Sequence, residues 1–280
     1  MMGFDMFHKN TLGIENVKNI ILVSSGKGGV GKSTTAANIA SSLYLLGNKV
    51  GVLDSDIYGP SQFMMFGLKD GSPITISENG TWVEPFLSHN IKISSIASRV
   101  KQGQALSWRG PMAAMVLQQM MFETNWGDLD YLVVDMPPGT GDIQISMCEK
   151  VPNAKVVIVT TPQDIALIDC KKGIDVFRSK NIEILGIVEN MSVHVCSNCG
   201  HIDHIFGEDG ANKLEEEYGS RVLGRIPLNT RIRIDSDSGT PITLMDPEGP
   251  IGSIYKTIAK EIMNGCIKDD ESSDGEADPC

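Results

Sequence analysis

The run Gly26-Lys27-Gly28-Gly29-Val30-Gly31-Lys32-Ser33-Thr34 constrains this chain more than any other stretch. It follows the apolar segment Ile20 to Val23 and opens a helix-forming segment from Lys32 to Leu46, so it reads as strand, glycine loop and helix start. Gly26, Gly31, Lys32 and Ser33 fill the pattern G-x-x-x-x-G-K-[ST] in full. Glycines let the backbone fold into a nest of N–H donors around phosphate oxygens, Lys32 supplies a cation for the terminal phosphates, and the Ser33 hydroxyl can ligate Mg²⁺. Gly26, Gly28 and Gly31 also satisfy G-x-G-x-x-G, the dinucleotide fingerprint. A dinucleotide turn has no use for a cation and a metal-binding hydroxyl, so the Lys-Ser pair selects a nucleoside triphosphate, cradled by the loop from Gly26 through Gly28, Gly29, Val30 and Gly31 to Thr34.

Downstream of the loop, Ala36, Ala37, Ile39, Ala40, Leu43 and Leu46 recur at helical spacing, and Gly47-Asn48 is a stop signal. Lys49 to Asp54 is the next strand, ending in Asp54-Ser55-Asp56; strand, helix and parallel strand make a right-handed crossover. Carboxylates at the carboxyl end of such a strand face the ligand site of an open α/β sheet. Asp56 is placed to hold Mg²⁺ through water or to orient an attacking water, with a helix cap as its blander use, and Asp54 shapes the loop. Tyr131 to Val134 is a second apolar strand, and its terminal Asp135 can accept from the Mg²⁺ shell. Met136-Pro137-Pro138-Gly139-Thr140-Gly141-Asp142 follows, a hinged turn whose Gly139 amide can sense a γ-phosphate.

Lys155 to Thr160 and Ile184 to Val188 repeat the buried-strand pattern, the latter leading into Glu189-Asn190-Met191. Asn79-Gly80 between Ile74–Ser77 and Thr81–Phe86 signals a hairpin insertion, and Ile91 to Ile96 adds a strand. Gly110 to Trp126 reads as a helix whose methionines Met112, Met115, Met120 and Met121 suit core packing. The fold class expected is a doubly wound α/β domain, mostly parallel, with helices on both faces. Its bounds are residues 19–265, between a lead-in (1–18) and an acidic, disordered tail (266–280).

A net charge of −11 offers no broad basic surface, which argues against nucleic acid as a partner. No apolar run is long enough to span a membrane and no apolar segment follows a basic start, so a cytoplasmic protein is expected. In that compartment six cysteines read as ligands or buried thiols. Cys148, Cys170 and Cys266 sit in packing contexts, and Cys280 is a tail thiol. Cys196-Ser197-Asn198-Cys199-Gly200-His201 differs: its C-x-x-C lets two thiolates converge on one metal. Structural zinc or an iron–sulfur cluster takes about four ligands. Three completions are open: His201 and His204 of the same chain, a redox pair without metal, or the same cysteines of a second copy across a two-fold axis.

With Lys27 counted, KGGVGKST resembles the deviant phosphate loop of the family that contains MinD, ParA, nitrogenase iron protein and the Mrp cluster carriers. Asp-x-Asp with Ile57-Tyr58-Gly59-Pro60-Ser61, the run D-x-P-P-G-T-G-D from Asp135, the C-x-x-C, Gly224-Arg225-Ile226-Pro227-Leu228 and Asp235-Ser236-Asp237-Ser238-Gly239 extend the likeness from Ile20 to Ile262, and to the Mrp carriers in particular. The resemblance implies a nucleotide-sandwich homodimer in which Lys27 reaches the partner's phosphates, with Lys27, Lys32, Asp56 and Asp135 as the catalytic set. It also implies Gly139 as phosphate sensor, Asn190 on the adenine ring, and slow ATP hydrolysis. Cys196 and Cys199 of both subunits would hold a 4Fe-4S cluster for delivery to apo iron–sulfur proteins, with a scaffold or donor protein upstream. The small N-terminal domain and the ferredoxin-like cysteine cluster of many relatives have no counterpart before the loop. The competing expectation is a zinc-stapled P-loop ATPase that offers a nucleotide-switched surface to a partner protein. An acidic tail fits neither the membrane helix of MinD relatives nor the basic surface of ParA relatives.

Overall fold

A computed structural model describes residues 13–78, 80–99, 110–139, 141–151 and 153–273. In chain order the elements are β1 (Val17–Ser24), α1 (Lys32–Leu45), β2 (Val50–Asp54), α2 (Gln62–Met65), β3 (Phe86–Ser88), β4 (Ile91–Ser95), a 3-10 turn (Ile96–Arg99), α3 (Gly110–Phe122), β5 (Leu129–Asp135) and α4 (Asp142–Lys150). The second half adds β6 (Lys155–Thr160), α5 (Asp164–Ser179), β7 (Glu183–Val195), β8 (Ile202–Asp203), α6 (Gly210–Tyr218), β9 (Val222–Leu228), α7 (Thr230–Asp237), α8 (Ile242–Met245) and α9 (Pro250–Ser273).

The strands form one sheet in the order β3-β4-β2-β5-β1-β6-β7-β8, with β9 also paired to β7. All pairings are parallel except β3 with β4 and β7 with β8. β1 lies centrally, and the chain winds outward from it through β5 and β2 on one side and through β6 and β7 on the other. The crevice at the carboxyl end of β1 is therefore the topological switch point, where open α/β sheets take ligands.

β1 shows why its sequence is continuously apolar. Ile21 and Val23 enter a core with α1 and the Tyr255, Ile258 and Ile262 face of α9, while Ile20 and Leu22 enter a second core with α3, α5 and Trp126. A strand covered on both faces needs apolar residues at both parities. That two-core arrangement is the doubly wound fold expected from the sequence.

Four local expectations are corrected. β1 begins at Val17, and the turn before it buries Ile14, so the domain's packing reaches into the supposed lead-in. The segments around Asn79-Gly80 meet at one bridge, Ile76 with Val83, and do not extend into a ladder; Asn79 itself lies outside the described residues. The ordered hairpin is β3–β4, turning through His89 and Asn90 at φ 49° and 62°, where two residues in the left-handed region match the strands' twist. α3 stops at Phe122, and Trp126 lies past it, fully buried with its indole N–H donated to the Met121 carbonyl at 2.9 Å. Its methionines divide between Met120 and Met121 in the core and Met112 and Met115 exposed. Finally, α9 runs without a break past residue 266 to Ser273, with Cys266 buried, so the part of the tail in 266–273 is helical.

Candidate functional site

At the carboxyl end of β1 the glycine loop arches over the start of α1. Two glycines are required by close approach. A Cβ on Gly26 would lie 2.3 Å from the Asp169 carbonyl oxygen on α5, and one on Gly31, at φ 83°, would lie 2.1 Å from the Asn190 amide nitrogen. Gly28 and Gly29 instead face open space. The first turn of α1 carries no side-chain cap, so its N–H donors, with the positive end of the helix dipole, point at the loop's concavity. Such a cradle fits the phosphates of a nucleotide. Ser25 Oγ ties down the Lys27 carbonyl at 2.9 Å while Lys27 itself is exposed.

Below the loop lies a buried ionic network built from the ends of three adjacent strands. Lys32, 6% exposed, hydrogen-bonds through Nζ to Asp135 Oδ1, reaches Ser33 Oγ at 3.2 Å and stands 3.8 Å from Asp56 Oδ2. Asp54, fully buried at the end of β2, accepts from the Ser61 and Gln62 amides at 2.9 and 3.0 Å and from Ser95 Oγ at 3.1 Å. It thereby anchors α2, the loop-shaping part expected of it. Burial, reinforced by the Asp135 charge, pushes the Asp54 carboxyl up to about 7 against the pull of the Gln62 amide and Lys32. Burial also raises Asp56, opposed chiefly by Lys32. The Ser33 hydroxyl with the Asp56 and Asp135 carboxylates is an all-oxygen donor set, the chemistry Mg²⁺ prefers.

Gly139 and Asn190 both bond to the phosphate loop and its root. The Gly139 N–H, at φ 96°, donates to the Ser25 carbonyl at 2.9 Å, which ties the turn after β5 to the root of the phosphate loop. Asn190 donates its amide to the Val30 carbonyl at 2.8 Å and braces the loop from β7. Thr140 and the side chain of Asp142 lie outside the described residues.

Gln62 was not anticipated. It is fully buried, and its Nε2 donates to Asp135 Oδ2 at 2.9 Å and to the Ser33 carbonyl at 3.0 Å. A four-residue helix is too short to show a period, and the one clue was a polar residue opening the apolar run Phe63–Phe66.

The cysteine pair occupies another part of the same sheet. β7 continues past Asn190 to Val195 and pairs antiparallel with β8, His194 opposite Asp203 and Val195 opposite Ile202. The turn is closed by Cys196 N–H to the His201 carbonyl and Gly200 N–H to the Cys196 carbonyl, both 2.9 Å, with Gly200 at φ 73°. Cys196 is half-buried and Cys199 exposed. The Asn198 and Cys199 amides and the Cys199 thiol converge on the Cys196 sulfur and lower its pKa. His201 Nε2 lies 3.2 Å from Asp203 Oδ1 and His204 Nε2 3.5 Å from Glu208 Oε1, so both imidazoles face carboxylates. Among the described residues no group of three or more His, Cys, Asp or Glu side chains could hold a metal ion. Cys170 and Cys266 are buried; Cys280 and the side chain of Cys148 lie outside the described residues. No helix among the described residues is long and apolar enough to cross a membrane.

Sheet order, loop and carboxylates together define a P-loop NTPase with the fold of MinD and ParA ATPases; MinD from Pyrococcus furiosus superposes with a TM-score of 0.66 at 22% identity, over 89% of this chain and 99% of that one. The chain belongs to the family described as ParA: NUBPL iron-transfer P-loop NTPase, which it matches over residues 16–263. It is 53% identical over 88% of its length to an iron-sulfur cluster carrier protein of Pseudomonas fragi, covering 86% of that protein. It is 44% identical over 93% of its length to the iron-sulfur cluster transfer protein NUBPL of Dictyostelium discoideum, covering 81% of it. Among solved structures, a nucleotide-binding protein in complex with ADP from Archaeoglobus fulgidus is 36% identical with a TM-score of 0.70, over 81% of this chain and 88% of that one.

Proposed function

We propose that this chain is an ATP-dependent iron–sulfur cluster carrier. The observation that carries the reading is a pair of thiols at the tip of a hairpin, short of a full ligand set, on the strand that also braces the phosphate loop through Asn190. Relatives named as cluster carriers support it across most of the chain.

In this reading the cargo is a 4Fe-4S cluster held by Cys196 and Cys199 of two copies, which meets the four-thiolate requirement by symmetry. Val195, Ile202 and Ile205, all exposed beside the pair, supply apolar surface for that contact or for an apo iron–sulfur recipient. At the other site the loop amides and Lys32 bind the phosphates of ATP, Lys27 reaches the partner's nucleotide, and Asn190 turns from Val30 to the adenine. Mg²⁺, when bound, neutralises charge on the phosphate oxygens. Ser33 and Asp135 offer it oxygens, Asp56 orients the water that attacks the γ-phosphate, and Gly139 leaves Ser25 to donate to that phosphate. Hydrolysis is slow and coupled to cluster transfer, and a scaffold or donor protein supplies the cluster.

Anaerobic reconstitution with iron and sulfide tests the reading. Broad visible absorbance with iron and sulfide in equal amounts per dimer, lost in Cys196→Ala, is expected. A colourless dimer holding stoichiometric zinc would replace the carrier by a zinc-stapled ATPase. Among the described residues, Cys196, Cys199, His201 and His204 do not converge as a ligand group, which weighs against the single-chain form of that alternative.

A further inference from the structure

We propose that Gln62 is a positioning residue for the divalent cation of the nucleotide site, holding the Asp135 carboxylate and the start of α1 in one register. The proposal rests on the reading that Ser33 and Asp135 face that cation. Gln62 is the neutral residue that ties three parts of the site together. Through Nε2 it donates to Asp135 Oδ2 at the end of β5 and to the Ser33 carbonyl in α1, while its backbone N–H donates to Asp54 Oδ2 at the end of β2. One residue thus links the loop after β2 to both groups expected to meet the metal.

The two oxygens of Asp135 are divided between partners: Oδ1 bonds Lys32 and Oδ2 bonds Gln62. Lys32 is the partner that phosphates compete for, because a terminal phosphate is a stronger anionic acceptor for it than a shared carboxylate. Gln62 is neutral and has no such competitor. When Lys32 turns to phosphate, Gln62 keeps Asp135 oriented through Oδ2 and leaves Oδ1 free to accept from the hydration shell of the cation. The other end of the amide shows how tightly the side chain is held. Gln62 Oε1 is buried and has no hydrogen-bond partner, although it belongs to the amide that touches Asp135. A buried amide oxygen without a donor is costly, so the side chain keeps this position against that penalty through its two Nε2 bonds.

The experiment measures ATP affinity of the full-length protein by calorimetry, in Mg²⁺ and in EDTA, for wild type, Gln62→Met and Ser33→Ala. Methionine keeps the length of the side chain and removes both polar atoms, and thermal melting checks that the variant folds. Loss of a buried hydrogen bond to a charged group predicts that the Mg²⁺-dependent gain in affinity falls by about tenfold in Gln62→Met, with affinity in EDTA nearly unchanged. An undiminished gain overturns the proposal, and so does an equal fall in both conditions, which marks a merely structural side chain. Ser33→Ala separates the two layers. If it loses the gain and Gln62→Met does not, the cation site stands and the role of Gln62 fails; if Ser33→Ala keeps the gain, the cation site itself is misplaced. Should Gln62→Met not fold, Gln62→Asn, whose shorter amide cannot span Asp135 and the Ser33 carbonyl together, is read by the same two affinities.

Discussion

The phosphate-loop network and the cysteine hairpin share one sheet but are built on opposite terms. In the first, charge is buried and answered inside the chain: Lys32 is set against Asp135 and Asp56, and Asp54 is wrapped in amide and hydroxyl donors. In the second, reactive groups are placed at the surface and left short of ligands, with Cys199 exposed and three large apolar side chains around the pair. The first site is packed into the fold, whereas the second lies at the surface, where the proposed function has it completed from outside. β7 joins them, since Asn190 touches the loop at one point of the strand and Cys196 follows its end.

Substitution separates the two most sharply. Lys32→Met should remove ATP binding and also destabilise the fold by about 3–5 kcal/mol, because it leaves buried carboxylates without their cation. Denaturant titration and nucleotide binding read both effects, and an unchanged unfolding midpoint would break the contrast. The double variant Cys196→Ser with Cys199→Ser should do the reverse. Its stability without metal should stay within about 0.5 kcal/mol, as for surface changes generally, and ATP affinity should hold, while cluster binding is abolished. If ATP affinity falls with the cluster, the two sites are not separable.

Thiol chemistry sharpens the comparison further. In the metal-free, reduced protein, iodoacetamide should label Cys196 and Cys199 and spare Cys170 and Cys266 until denaturant is added. Cys170 is 1% exposed and burial pushes its thiol up to about 12, whereas Cys196 is lowered by its neighbouring amides. Mass spectrometry of the labelled peptides decides, and early labelling of Cys170 would show that α5 opens against the phosphate loop.

The same contrast explains what could be read from the sequence. Strand, loop and helix around Lys32, the carboxylates at strand ends and the C-x-x-C were legible because each depends on residue type at fixed spacing along the chain. Asp54 and Asp135 sit where apolar strands stop, so the period that builds the sheet also locates the acids. Gln62 was not legible, since its meaning comes from three partners at 8, 29 and 73 residues' separation. The left-handed turn at His89 and Asn90 was hidden because the stronger local signal, Asn-Gly, lay earlier. Asn190 was placed by resemblance, but its bond to Val30 spans 160 residues and has no local signature. Sequence spacing shows what a site contains, and long-range packing shows what each member is tied to.

The last test probes the buried side of the comparison through pH. Asp54 is raised in the folded state from 3.8 to about 7, first by burial and then by the Asp135 charge. A carboxyl with a raised folded pKa binds its proton more tightly in the native than in the unfolded chain. Its contribution to stability is therefore fully present below about 4 and is lost as pH rises through about 7. Asp54→Asn cannot titrate, so whatever fixed penalty it carries from altered hydrogen bonds is the same at every pH. The melting temperature of wild type minus that of the variant, in nucleotide-free protein, should decrease steadily between about pH 5 and pH 8. A difference that stays flat over that range would mean that the donors from Ser61, Gln62 and Ser95 outweigh burial and hold Asp54 ionised at every pH tested. The network would then carry a full carboxylate charge at β2 beside that of Asp135, and Lys32 would be the cation that both depend on.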